Sequence, residues 1–140
     1  MNYHGQLFKK VTHNLLIRSK IQTPVSIGQN AETIASCYLE KQGLILVKRN
    51  YRIAAGEIDL IMRDQSVIAF IEVKMRTQNI HGHAIETISA QKRKRIIRTA
   101  EHYLMKHNLY DRVGCRFDVV GIDTKTLDIT WIKNAFEVEY

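Results

Sequence analysis

Apolar residues recur at helical spacing in two parts of the chain, from Ile27 to Leu39 and from Ile96 to Leu104. Gly43 stands where a C-terminal cap of the first helix belongs, and the second helix is predicted over residues 89–107. Elsewhere the apolar residues form short runs bounded by turn residues, which is typical of strands. These predicted strands span residues 44–53, 57–63, 67–76, 115–123 and 127–136.

The connections between these elements predict how the strands pair. Only the turn segments 54–56 and 64–66 separate the first three strands, so we expect antiparallel hairpins. The second helix connects the third strand to the fourth, and a helical crossover allows that pair to lie parallel. We therefore predict an α/β fold in the order αβββαββ, with a mixed sheet of about five strands and flanking helices.

Length and composition indicate a single packed domain. The chain has 140 residues, of which 45% are hydrophobic and 25% charged, with one Pro, so a disordered or collagen-like chain is excluded. Residues 1–25 are predicted as a basic amino-terminal arm and residues 26–140 as the domain, within which residues 77–88 form a loop. No apolar run is long enough to span a membrane and no signal cleavage site is present, so no membrane association is expected.

The two cysteines carry no metal or redox spacing. Cys37 and Cys115 lie far apart in apolar surroundings, and neither belongs to a Cys-x-x-Cys pair. We interpret them as reduced core residues of a cytoplasmic protein.

The balance of charge is strongly positive. Lys and Arg number 21 and Asp and Glu 14, which gives a net charge of +7. This excess favours a polyanionic partner, because clustered cations release condensed counterions when they bind phosphates. Charge alone does not distinguish a nucleic-acid-binding protein from an ordinary basic domain, so sequence motifs are needed to tell the two apart.

Ionisable residues interrupt two of the predicted apolar strands. Alternation places Glu57 and Asp59 on one face of their strand, and Glu72 and Lys74, which begin thirteen residues after Asp59, on one face of the next. A tight hairpin brings the two faces together. Charged groups flanked by so many apolar residues need a partner or a metal. Their apolar neighbours, expected in the opposite layer, are Ile58, Leu60, Ile71 and Val73.

Carboxylates from adjacent strands form a hard, anionic site suited to Mg²⁺. A metal there would polarise a phosphodiester and help generate hydroxide, and Lys74 would position or deprotonate the attacking water or stabilise charge on the phosphorane. The alternative is a buried ion-pair cluster with a structural role only.

These residues resemble those of a known superfamily. Asp59, the thirteen-residue step and Glu72-x-Lys74 are similar to the core motif of the restriction-endonuclease-like PD-(D/E)XK nucleases. From Gly28 onward the chain resembles more narrowly the YraN family, UPF0102-type predicted endonucleases that are similar to archaeal Holliday junction resolvases. The matching segments are Gly28-x-x-Ala31-Glu32, Arg49-Asn50-Tyr51-Arg52, Gly56-Glu57-Ile58-Asp59-Leu60-Ile61, Glu72-Val73-Lys74-x-Arg76, Gly82 before Glu86, Lys92, and Arg116-Phe117-Asp118-Val119-Val120.

The resemblance implies a resolvase-like core and assigns roles within it. Asp59 and Glu72 would bind Mg²⁺ or Mn²⁺, Lys74 would be the catalytic lysine, and the backbone carbonyl of Val73 would complete the metal shell. Glu32 would match a helix-borne acid that reaches the metal directly or through water. The sequence departs from the superfamily pattern at Ile58, where a proline is usual.

Two of the acids have alternative interpretations. Glu32 could instead be an acid of the first helical turn, stabilised there by the helix dipole. Glu57 is either a further metal ligand or a surface acid paired with Arg52 or Arg76.

A basic face of the second helix is the predicted nucleic-acid contact. Lys92, Arg95 and Arg98 fall on adjacent turns, where they would bind phosphates without reading sequence, although a solvated helix face is the ordinary alternative. Arg52 and Arg76 would add to this surface. His81 and His83 lack a third ligand at zinc spacing, so a zinc site is not expected.

The leading hypothesis is a metal-dependent endonuclease that acts on DNA and selects branched or deformed structures by shape. The alternatives are a non-catalytic nucleic-acid-binding adaptor that retains the nuclease fold, and an RNA-processing nuclease. Symmetric cutting of two strands needs two sites, which favours a homodimer, although the sequence locates no interface.

Overall fold

The chain folds as an α/β sheet in the predicted order αβββαββ. A computed structural model describes residues 24–76 and 88–138. Its elements are α1 (Pro24–Lys41), β1 (Ile45–Ile53), β2 (Gly56–Asp64), β3 (Val67–Arg76), α2 (Ala90–Lys106), β4 (Gly114–Asp123) and β5 (Ile129–Phe136). The predicted boundaries therefore hold to within a few residues.

The five strands form one mixed sheet in the order β1-β2-β3-β4-β5. The pairs β1–β2, β2–β3 and β4–β5 are antiparallel, and β3–β4 is parallel. This arrangement confirms the predicted pairing, because α2 supplies the crossover that a parallel neighbour requires.

Helix α1 begins earlier than its apolar stripe predicts. Its first residue is Pro24, whose fixed φ suits the first helical position, so the helix includes the last two residues of the predicted basic arm. The helix ends as predicted, with Gly43 at a φ of 99°. The N–H of Leu44 donates to the carbonyl of Leu39 at 3.1 Å, and the N–H of Gly43 donates to that of Glu40 at 3.0 Å. These two bonds form a Schellman motif, which satisfies carbonyls that the helix end would leave free.

Each face of the sheet is covered by one helix. Along β3, Ile68 and Phe70 pack with α2, whereas Ala69 and Ile71 pack with α1, as strand alternation requires. The expectation for β2 was wrong in one position: Ile58 packs in the α2-side core, while Leu60 packs in the α1-side core. Side chains of β2 therefore do not alternate regularly between the two faces of the sheet around Asp59.

Several sequence predictions fall on other parts of the chain. Residues 1–23 of the predicted arm, and residues 77–87 of the predicted loop with His81 and His83, lie outside the described residues. The interpretation of the cysteines as core residues was wrong, because Cys37 and Cys115 are both free and exposed. Cys37 lies on the exposed side of α1, and Cys115 is exposed near the start of β4, two residues before the buried Phe117.

Gly56 allows α2 to approach the start of β2 closely. A Cβ at this position would lie 3.0 Å from Thr99 Oγ1 and 3.3 Å from the carbonyl oxygen of Arg95. This carbonyl belongs to the backbone of α2, so it can move away from an added Cβ only if the helix moves. Gly114 at the start of β4 is a matched comparison, because its Cβ would make only an ordinary contact, 3.5 Å from Val67 Cγ2.

We predict that Gly56→Ala lowers the free energy of unfolding by about 1–3 kcal/mol, because the added methyl group overpacks the contact between α2 and β2. Gly114→Ala should change it by less than about 0.5 kcal/mol. Urea denaturation of both variants beside the wild type measures the difference. Equal effects at the two positions would contradict the proposed close approach.

Candidate active site

Asp59 and Glu72 meet where the β2–β3 hairpin opens. Pairing between these strands runs from Asp64–Val67 to Leu60–Ile71, and the two acids follow directly beyond its last pair. The hairpin geometry thus brings together the two acids that the sequence pattern singled out. Glu72 is buried, with 6% of its surface exposed, and Asp59 is half-buried.

Beyond the last β2–β3 pair, the side chain of Asp59 accepts a hydrogen bond from the backbone of β3. Its Oδ2 accepts a hydrogen bond of 2.8 Å from the N–H of Val73. Burial raises the pKa of Asp59 to about 7, the charges of Glu72 and Glu32 add to the increase, and the Val73 hydrogen bond and Lys92 oppose it. The carboxylates are therefore close enough to repel each other, and the metal-free site favours a proton on Asp59.

Two lysines converge on Glu72. Lys74 Nζ lies 3.4 Å from Glu72 Oε1, and Lys92 Nζ, reaching from the first turn of α2, donates to the same oxygen. Burial lowers the pKa of Lys74, which Glu72 counteracts in part and Lys92 reinforces. Burial acts on Lys92 in the same direction, but its hydrogen bond and attraction to Glu72 outweigh it and raise its pKa. Lys74 is thus the lysine that loses its proton more readily.

Glu32 on α1 acts on Asp59 through its charge and is held by β1. It lies eight residues after Pro24, so the alternative interpretation as a first-turn acid was wrong. Its Oε2 accepts a hydrogen bond of 2.8 Å from Asn50 Nδ2. Asn50 adopts a φ of 49° within strand β1, a left-handed conformation that Asn tolerates better than most residues. The irregular backbone of β1 therefore orients an acid whose charge acts on Asp59.

Glu57 and Arg52 form an exposed ion pair. Their Oε2 and Nε atoms are 2.8 Å apart, and more than half of each side chain is exposed. This is the surface pairing that the sequence left open as an alternative to metal binding. Two carboxylates, those of Asp59 and Glu72, are thus the acids that sit together at the hairpin opening.

The predicted phosphate-binding residues separate into two groups. Arg52, Lys92 and Arg95 line a cleft of about 860 Å³ between the β1–β2 turn and the start of α2, which we call the α2 cleft. Arg98 on α2 and Arg76 at the end of β3 are exposed outside it. Lys92 is the residue common to the cleft and the carboxylate site.

The donor set at the hairpin opening suits a metal that keeps much of its water. Within residues 24–76 and 88–138, no group of three His, Cys, Asp or Glu side chains could hold a metal ion. Asp59, Glu72 and the carbonyl of Val73 are hard oxygen donors, and Mg²⁺ is bound by one or two carboxylates with waters and substrate phosphates. The residues present therefore fit Mg²⁺ or Mn²⁺ and not Zn²⁺.

A second acidic centre, around Asp118, is a closed structural network. Asp118 is 1% exposed and accepts bonds from Arg116 Nε at 3.0 Å, Trp131 Nε1 at 3.1 Å and the N–H of Asn134 at 2.9 Å. Arg116 also pairs with Asp64 at 2.9 Å. Arg116 is thus shared by two aspartates, and the donors around Asp118 leave it fully occupied.

Sequence reasoning did not assign two residues to the carboxylate site, Lys92 as a partner of Glu72 and Asn50 as a partner of Glu32. Both carried a signal. A cation in a first helical turn opposes the helix dipole, so Lys92 needed a nearby anion. Asn is uncommon within strands, so Asn50 marked an irregular position.

Comparison with known proteins identifies the family. Residues 31–122 match the model of the uncharacterised protein family UPF0102. A UPF0102 protein of Coxiella burnetii (strain RSA 331 / Henzerling II) is 54% identical over 114 residues, which cover 81% of this chain and 94% of that protein. One from Legionella pneumophila (strain Corby) is 44% identical over 110 residues, covering 79% and 93%. The chain therefore belongs to the UPF0102 family, to which the YraN proteins belong.

The helices give one further finding. In the part of the chain that the structure describes, no helix is long and apolar enough to cross a membrane.

We predict that Asp59→Asn stabilises the metal-free protein in a pH-dependent way. Because its folded pKa is about 7 against an ordinary value of 3.8, Asp59 makes the wild type lose stability as pH rises between those values. The variant lacks this loss, so its advantage should grow from near zero at about pH 4 to roughly 1–3 kcal/mol at about pH 8. Urea denaturation in EDTA measures it.

Asp128→Asn, at an exposed aspartate, is the matched control and should follow the wild type at every pH. If the stability of Asp59→Asn and that of the wild type changed in parallel with pH, the raised pKa of Asp59 would be contradicted.

Proposed function

We propose that this protein is a metal-dependent endonuclease that hydrolyses phosphodiester bonds of DNA and selects its substrate by shape. The observation that carries the proposal is the convergence of Asp59, Glu72 and Lys74 at the open end of one hairpin. A purely structural cluster would supply each buried carboxylate oxygen with donors, as the Asp118 network does. Here one acid keeps a raised pKa, which is typical of a site that awaits a cation.

Asp59 and Glu72 would hold Mg²⁺ or Mn²⁺ together with the carbonyl of Val73. When bound, the metal supplies a polarised phosphate and a more acidic water. The N–H of Val73 keeps Asp59 fixed in its position. Lys74, whose pKa is lowered, accepts a proton from the attacking water or stabilises the charge that develops on the phosphate oxygens.

The DNA backbone would be bound by the cations around this site. Lys92 contacts Glu72 and lines the α2 cleft with Arg95, and Arg98 lies almost one turn further along the same helix. Such contacts position a phosphate backbone without reading bases. Selection by shape follows, because contacts with phosphates carry no base sequence.

The proposal predicts metal-dependent cutting that depends on Asp59 and Lys74. The assay offers linear duplex, four-way junction, flap, single strand and structured RNA to the wild type, Asp59→Asn and Lys74→Ala, with Mg²⁺ or Mn²⁺ against EDTA. Each substitution should lower the rate by at least about a hundredfold while the protein still folds and binds. The preferred member of the panel identifies the substrate class.

Binding without cutting by all three proteins would refute the nuclease proposal and favour the adaptor. Cutting confined to structured RNA would favour the RNA-processing nuclease. Cutting that survives both substitutions would place the catalytic centre elsewhere.

Lys92 gives a second prediction, because it occupies an oxygen of Glu72 that a metal would use. Lys92→Met should tighten Mn²⁺ binding by about tenfold, since a nearby positive charge is removed, and should weaken DNA binding. Calorimetry with Mn²⁺ and fluorescence anisotropy with DNA measure the two effects. Lys94→Met, on an exposed part of the same helix, should alter Mn²⁺ binding little. Unchanged or weaker Mn²⁺ binding by Lys92→Met would contradict the competition.

A further inference from the structure

The α2 cleft is a concave, positively charged site beside the carboxylates. Of its ionisable residues, Arg52 is paired with Glu57 at 2.8 Å, so these two charges largely cancel. Arg95 also lines the cleft, and Lys92 shares Glu72 with Lys74, so cations outnumber acids around the cleft. An excess of cations favours an anionic ligand, and the phosphates of a nucleic-acid strand supply one at every nucleotide.

The volume of the cleft suits a single strand better than a double helix. At about 860 Å³ it lies in the range that encloses one small-molecule ligand. One or two nucleotides of a single strand match a volume of this size. The cleft also has an apolar part, formed by Ile53, Ala54, Ala55 and Ile96, against which a sugar or a base face can pack. Single-strand sites combine charged and apolar surfaces in this way.

The position of the cleft links it to the site of cleavage. Lys92 lines the cleft, and its Nζ donates to Glu72. Gly56 lines the cleft as well and lies three residues before Asp59 on β2. A strand held in the cleft therefore leads directly to the carboxylates.

We propose that the α2 cleft binds an unpaired nucleotide of a DNA strand next to the phosphate to be cut, so that the protein prefers a duplex with a single-stranded branch to a fully paired one. This inference rests on the proposed function for the location of the cut, but its binding component stands apart from catalysis. The two are therefore tested separately.

The experiment measures binding by fluorescence anisotropy in EDTA, where no cutting occurs. The probes are a DNA hairpin with a single-stranded flap, the same hairpin without the flap, and the first hairpin with an RNA flap. The wild type should bind the DNA-flap hairpin about tenfold more tightly than the paired hairpin. Equal affinity for these two probes would overturn the proposal, and tighter binding of the RNA flap would overturn the assignment to DNA.

Variants locate the preference in the cleft. Ala55→Trp fills the cleft from an exposed turn position and should abolish the preference for the flap. Ser66→Trp, at the exposed β2–β3 turn on the other end of β2, is the matched control and should retain it. Retention of the preference in Ala55→Trp would overturn the proposal.

A charge-reversal variant covers the case in which the tryptophan disturbs folding. Arg95→Glu, at an exposed position in the cleft, should also lose the preference for the flap. If Arg95→Glu retained the preference for the flap, the proposal that the α2 cleft binds the unpaired nucleotide would be overturned. Flap preference without cutting in Mg²⁺ would support the cleft and refute the nuclease, whereas equal cutting of both hairpins would refute the cleft alone.

Discussion

Two carboxylates cannot lie side by side in a largely apolar setting unless cations or hydrogen-bond donors compensate them, and this constraint organises the molecule around Asp59 and Glu72. Val73 donates its N–H to the first acid, and two lysines converge on the second. One of those lysines comes from α2, which approaches the sheet closely because Gly56 has no side chain. The close packing of α2 on the sheet and the compensation of the Glu72 charge therefore depend on each other.

The two acidic centres in the described part of the chain show how a structural network differs from a candidate site. Asp118 receives donors from Arg116, Trp131 and the backbone at the irregular part of the β4–β5 pairing, so a further ligand would have to displace existing bonds. Asp59 receives a single backbone donor and keeps a raised pKa. Stability is given up at Asp59 and not at Asp118, which is the pattern expected where binding, not folding, satisfies the charge.

The sequence predicted most of the fold because local patterns determine it. Strand periodicity, short turn segments and Gly43 defined the hairpins and the end of α1, and the helical crossover explained the parallel pair. The exposed Cys115 and the altered alternation at Ile58 were missed, since the direction of one strand side chain depends on local twist that no period records. The exposed Cys37 was missed although it lies off the apolar stripe of α1. The start of α1 was missed because its first turn lies before the apolar stripe.

The candidate site also has features that the sequence predicted and features that only the structure shows. Sequence by itself determined that Asp59, Glu72 and Lys74 share one hairpin, because a register of adjacent strands follows from a short connection. Only the tertiary structure decided that Lys92 from α2 and Glu32, oriented by Asn50, belong beside them, and that Glu57 pairs with Arg52 instead. Contacts between a helix and a distant strand depend on packing angles and on the close approach at Gly56, and spacing along the chain does not encode these.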